Sequence, residues 1–132
     1  NKMNSDDFLT QKPLSGVNML IAEDIETALL VLSTFMKQFG ANVVAVENGK
    51  EAFDACKKQN FDIILMDIQM PIMDGIEATK LINQSCGSGK IIAITAASEV
   101  ESQELLTQGF SATHNKPINA KELCKLILCN LL

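Results

Sequence analysis

The chain has 132 residues, 47% of them hydrophobic, with eleven basic against sixteen acidic side chains and a net charge of -5. That length suits one domain, and the apolar fraction is too high for a disordered chain. The acidic balance argues against a direct nucleic-acid partner, which needs a basic face, and no apolar run is long enough to span a bilayer.

The chain begins at Asn1 with no initiator Met and no charged region leading into an apolar stretch. No secretory signal is read at this start, and the chain reads as a fragment cut from a longer protein. Residues 1–16 are polar and leave through Pro13-Leu14-Ser15-Gly16, the composition of a linker or disordered N-terminal segment. Residues 17–132 read as one domain. Its first apolar run is Met19-Leu20-Ile21-Ala22. Ala28, Leu32, Phe35, Met36 and Phe39 follow on one predicted helix face, with Gly40 as the stop. The second run is Val43 to Val46, and Asn48 with Glu51 forms a capping box that opens the next helix. Ile63-Ile64-Leu65-Met66 and Ile91-Ile92-Ala93-Ile94 are the third and fourth runs. Ser98 with Glu101 caps a helix that Gly109 closes, and Ser111 to Asn115 is a weaker fifth strand. Asn119 with Glu122 opens the last helix, whose buried stripe is Leu123, Leu126, Ile127 and Leu131.

The four clear runs are continuously apolar rather than alternating, as parallel strands covered on both faces require. Strand–helix alternation with short loops predicts an open parallel α/β sheet, helices on both faces and right-handed crossovers. The four cysteines, Cys56, Cys86, Cys124 and Cys129, show no CxxC pair and read as reduced, small apolar residues.

In such a sheet the functional crevice lies beyond the carboxyl ends of the strands. Glu23-Asp24 follow the first strand, Asp67 the third, Thr95 the fourth and Lys116 the fifth. Each alone reads as a helix cap, a turn residue or a solvated charge. Together they place three carboxylates, a hydroxyl and an ammonium at one rim. Clustered carboxylates repel unless a cation intervenes, and Mg²⁺ takes one or two carboxylates with waters and a phosphate. A carboxylate there can attack phosphorus to give an aspartyl phosphate. Asp67 is the best nucleophile because it follows the most apolar run. Lys116 can neutralise phosphoryl oxygens, and the Thr95 hydroxyl can donate to one of them.

At these residues the chain resembles the receiver domains of bacterial response regulators and hybrid histidine kinases. The resemblance covers about residues 17 to 131 and is most specific from Met66 through Asp67-Ile68-Gln69-Met70-Pro71-Ile72-Met73-Asp74 to Gly75. Ala22-Glu23-Asp24, Ile94-Thr95-Ala96 and Lys116-Pro117 fall in the same order and spacing. The resemblance implies a flavodoxin-like doubly wound (βα)5 fold with strand order 2-1-3-4-5. It implies Asp67 as phosphoacceptor, Thr95 as switch hydroxyl and Lys116 as the phosphate contact. Glu23, Asp24, Asp67 and the Gln69 backbone carbonyl would hold Mg²⁺, with Mn²⁺ as a substitute. The implied partners are a histidine kinase or phosphotransfer domain as donor and a downstream effector or phosphotransfer protein. The implied setting is cytoplasmic, within a hybrid sensor kinase. A Lys116–Pro117 cis bond is frequent in the family, and residues 69 and 97, here Gln69 and Ala97, tune water attack on the phosphoryl group. One departure stands out: an aromatic residue usual three positions before the lysine is Thr113 here. Phe110 reads as core and His114, the only histidine, as a partly exposed strand residue.

Three rivals share parts of this pattern. A phosphohydrolase with an aspartyl nucleophile needs a second Asp two residues on, where Gln69 stands. An FMN binder needs a small-residue phosphate loop where Glu23-Asp24 stand, and the chain has no Trp or Tyr to stack on flavin. A degenerate receiver serving only as a protein-binding module would not need the full acidic set. The expectation is a signalling switch that takes part in its own phosphoryl transfer and slow autodephosphorylation, and is not otherwise an enzyme.

Overall fold

The computed structural model describes residues 11–87, 89–96 and 98–132. Five parallel strands alternate with five helices: β1 (Asn18–Ala22), α1 (Glu26–Gln38), β2 (Asn42–Val46), α2 (Gly49–Lys58), β3 (Ile63–Asp67), α3 (Gly75–Ser85), β4 (Lys90–Thr95), α4 (Glu99–Leu106), β5 (Ala112–Asn115) and α5 (Ala120–Leu131). The sheet order is β2-β1-β3-β4-β5, so the chain reverses its direction of winding between β1 and β3. That is the switch point at which α/β sheets open a crevice.

Two apolar clusters, one on each face, hold the layers together. Met19, Ile21, Ile63, Leu65 and Ile92 face one cluster with Leu32, Met36 and Phe39 of α1 and Leu123 and Ile127 of α5. Leu20, Ile64, Met66, Ile91 and Ala93 face the other with Ala52, Ala78, Ile82 and Leu105 from α2, α3 and α4. Alternate residues of one strand thus serve opposite faces, which is why the central runs contain no polar residue. Helix starts follow the sequence signals. Asn48, Ser98 and Asn119 accept from the N–H groups of Glu51, Glu101 and Glu122 at 2.9, 3.2 and 3.0 Å. Gly40 takes a left-handed φ of +102° just past α1, as a glycine stop should.

Four local expectations shift. β2 is an edge strand, not a strand covered on both faces: among the described residues no strand lies beyond it, and Val44 and Ala45 are exposed. Phe35 sits at the margin of the buried face of α1 and is 37% exposed. α4 ends at Leu106, before Gly109 with its φ of +99°. Asp67 and Thr95 are the last residues of β3 and β4 rather than the first beyond them. Leu14, from the leading segment, is fully buried, and its N–H donates to the Phe39 carbonyl at 2.8 Å. Packing thus reaches back to Leu14, while residues 1–10 of the expected linker lie outside the described residues. The four cysteines are free thiols, and Phe110 is core at 4% exposure.

Candidate functional site

The carboxyl ends of β1, β3, β4 and β5 open into one cleft of about 690 Å³, lined among others by Asp24, Asp67, Gln69, Thr95 and Lys116. Strand register fixes this gathering. Ala22 pairs with Met66, Asp67 with Ile94 and Thr95 with Asn115, so the residues that follow or end each strand come level at one rim. Glu23, Asp67 and Thr95 are buried at 4%, 5% and 5% exposure, whereas Asp24 and Gln69 face solvent. The fold therefore brings Glu23, Asp24, Asp67, Gln69, Thr95 and Lys116 to one rim.

Oxygens of Glu23, Asp24 and Asp67 lie within 4.8 Å of one another. The Lys116 ammonium reaches Glu23 Oε1 at 3.3 Å and Asp67 Oδ1 at 3.4 Å, bridging the two buried carboxylates. Glu23 also accepts from the Ile25 N–H at 3.3 Å. Burial, then the hydrogen bond and charge of Asp67, push the Glu23 carboxyl up, against the pull of Ile25 and Lys116. Burial works against the charge on Lys116, but the carboxylates of Asp67 and Glu23 together outweigh it and hold the ammonium above its ordinary range. The pocket is thus short of positive charge. A hard, all-oxygen donor set with two buried carboxylates fits a hydrated divalent cation such as Mg²⁺.

The backbone around Asp67 is held by features that the sequence reading passed over. Asp74 caps α3, accepting from the Glu77 N–H at 2.8 Å; the Asp-x-x-Glu spacing was the signal for it. The Gly75 N–H donates to the Ile68 carbonyl at 2.9 Å, and a Cβ on Gly75 would collide with the Asp67 carbonyl oxygen. Only glycine admits that approach. Ile72 is held at a φ of +70°, a strained conformation for a β-branched residue, in the loop that carries Gln69. The Lys116–Pro117 bond is cis. Lys116 N–H donates to the Thr95 carbonyl at 2.8 Å, tying the ends of β4 and β5 together. Thr113 and His114 are half-buried in β5, and burial lowers the His114 imidazole although Glu122 raises it. Ala97 lies outside the described residues.

The family model for the response regulator receiver domain matches residues 19–128. Sensor protein GacS of Pseudomonas syringae pv. syringae is 40% identical over an alignment of 126 residues that covers 88% of this chain and 14% of GacS. The autoinducer 2 sensor kinase/phosphatase LuxQ of Vibrio vulnificus is 39% identical over 110 residues, 82% of this chain and 13% of LuxQ. The chain therefore spans a small part of these relatives. Among solved structures, the receiver domain of the sensor histidine kinase PA1611 from Pseudomonas aeruginosa superposes with a TM-score of 0.81 at 29% identity. That match covers 89% of this chain and 98% of the PA1611 receiver-domain chain, which has a magnesium ion coordinated in its active site cleft. A Francisella response regulator receiver domain matches with a TM-score of 0.83 at 25% identity over 88% of this chain and 97% of its own.

Proposed function

Because the chain belongs to the response regulator receiver domain family of two-component signalling, we propose that Asp67 is its phosphoacceptor and that Glu23, Asp24, Asp67 and the Gln69 carbonyl hold Mg²⁺. The observation that carries this reading is the bridge of Lys116 between Asp67 and Glu23, inside an acidic triad whose oxygens lie within 4.8 Å of one another. The receiver unit is residues 17–132, onto which Leu14 of the leading segment 1–16 packs.

The donor is a phosphohistidine on a kinase or phosphotransfer domain. An Asp67 carboxylate oxygen attacks phosphorus, the P–O bond forms as the P–N bond breaks, and the imidazole leaves with the electron pair. Mg²⁺, when bound, supplies charge neutralisation for the triad and the incoming phosphoryl oxygens. Lys116 needs only to swing from the carboxylates to a phosphoryl oxygen, staying within a charge-assisted contact throughout. The Thr95 hydroxyl donates to another of these oxygens. Phosphorylation adds about -1.5 to -2 charges, and the grip of Thr95 and Lys116 draws the ends of β4 and β5 toward Asp67. Gln69, exposed at the mouth, orients water for slow autodephosphorylation.

Among the described residues no helix is long and apolar enough to cross a membrane. The small share of GacS and LuxQ that this chain spans supports a module of a larger sensor kinase, working on the cytoplasmic side and passing its signal to an effector or phosphotransfer protein. The phosphohydrolase alternative gains nothing from the geometry, because no second carboxylate stands at position 69. Intact-mass measurement after acetyl phosphate with Mg²⁺ tests the reading. Wild type gains one phosphoryl group and loses that ability on removal of the metal, and Asp67→Asn gains none. Equal labelling of both proteins would refute it.

A further inference from the structure

The position that usually carries an aromatic residue in receivers is Thr113, half-buried in β5. Ala112 packs in the cluster shared with α1 and α5. By strand alternation, Thr113 and Asn115 face the opposite side, where α4 lies. One step along that face, β5 does touch α4: the Ser102 hydroxyl donates to Asn115 Oδ1 at 3.2 Å. Ser102 is buried, at 7% exposure, so its hydroxyl needs a partner, and Asn115 supplies it from the exposed end of β5.

This contact sits one peptide away from the phosphate-gripping groups. Asn115 precedes Lys116 and pairs in register with Thr95, and the Lys116 N–H donates to the Thr95 carbonyl. Its other partner, α4, is lightly held. Ser102 and Leu105 are its buried side chains among the described residues, while Val100 and Leu106 are 71% and 45% exposed. Glu101 and Glu104 of α4 line the same cleft as Asp67.

Resting on the reading of Asp67 as phosphoacceptor, we infer that the Ser102–Asn115 hydrogen bond is the latch that couples the strand-end pair Thr95 and Lys116 to the placement of α4, in place of an aromatic switch. Ser102 is a positioning residue; it touches no reacting atom. A phosphoryl group on Asp67 draws Thr95 and Lys116 inward, and Asn115 follows because it is joined to both. The same negative charge repels Glu101 and Glu104, which drives α4 outward. The two motions pull the latch from opposite ends. The latch therefore favours the unphosphorylated arrangement, and by reciprocity its removal favours phosphorylation.

Ser102→Ala, Ser102→Thr and wild type are compared with acetyl phosphate and Mg²⁺ by intact mass, and with beryllofluoride and Mg²⁺ by backbone amide chemical shifts. Loss of one neutral hydrogen bond with a half-solvated partner predicts phosphorylation of Ser102→Ala faster by about three- to tenfold. Without beryllofluoride, the α4 amides of Ser102→Ala move toward their wild-type beryllofluoride positions, and Ser102→Thr behaves as wild type. A purely structural Ser102 would instead lower thermal stability and leave the rate unchanged or slower. An unchanged or slower rate with α4 shifts confined to the neighbours of residue 102 overturns the latch. If Ser102→Ala fails to fold, wild type alone decides. The Ser102 and Asn115 resonances must change together on adding beryllofluoride, and constant resonances overturn the inference. Failure of wild type to take up phosphoryl at all would overturn the phosphoacceptor reading instead.

Discussion

β3 and α4 both border the cleft, yet they are built by different means. Every residue of β3 is buried, from Ile63 to Asp67, with strands on both sides and a helix layer on each face. α4 rests on the sheet through Leu105 and Ser102 and shows Val100 and Leu106 to solvent. A nucleophile needs fixed geometry, and the proposed phosphoacceptor Asp67 has it from the β3 register, the Gly75 approach and the Asp74 cap. A responding element needs a low cost of displacement, and α4 has that from its thin interface. The domain thus has a firm half, which holds the proposed phosphoacceptor, and a loose half, which the proposed latch would release.

Truncation in each half is the largest way to break that comparison. Leu65→Ala, at 0% exposure in the central strand, is expected to lose about 3–5 kcal/mol in urea unfolding, whereas Leu105→Ala in α4 loses about 2. Equal losses would remove the distinction. Gly75→Ala comes next. Its Cβ meets the Asp67 carbonyl, so the loop must shift, costing about 1–3 kcal/mol. Phosphorylation by acetyl phosphate should slow by about tenfold or more, because small misplacements of a nucleophile are expensive. A normal rate would show that Asp67 tolerates movement. Changing Gln69 to Ala has a smaller effect, altering the decay of phosphorylated protein more than its formation. Similar changes in both rates, followed by mass, would contradict the water-orienting assignment.

The fold was legible because its signals are local and redundant. Four apolar runs, three capping boxes and Gly40 set the element order, and the strand ends then had to meet. The edge character of β2 was not legible, since Val43 to Val46 reads like a central strand and only the spatial order leaves Val44 uncovered. Phe35 misled for a related reason: helical spacing gives a face but not its width. Within the site, the acidic triad, Thr95 and Lys116 could be read from position alone. The Ser102–Asn115 contact could not, because a serine in a polar helix and an asparagine in a weak strand carry no pattern that pairs them.

Titration gives a milder test of the loose half. Burial holds the His114 imidazole in β5 below its usual 6.5. A folded-state value below the unfolded one means a contribution present above about pH 6.5 and lost as the pH falls through that value toward the folded one. Glu23 acts in the opposite sense at lower pH, its raised carboxyl favouring the folded state below its unfolded value of 4.5. The informative quantity is therefore the difference between wild type and His114→Gln. Melting temperature should fall more for wild type than for His114→Gln between about pH 7 and 5.5. Parallel curves would show that His114 is not buried in solution. The smallest effect concerns thiols. Burial pushes Cys56 up to about 12 and Cys124 up to about 11, so a thiol reagent at neutral pH should modify exposed Cys129 first and leave both buried cysteines intact.

Amide hydrogen exchange with and without beryllofluoride and Mg²⁺ tests the division most directly. The account predicts that protection in β1 and β3 stays constant or rises slightly while α4 and the end of β5 change. Uniform change across the sheet, or movement confined to β1 and β3 with α4 unaltered, would contradict it.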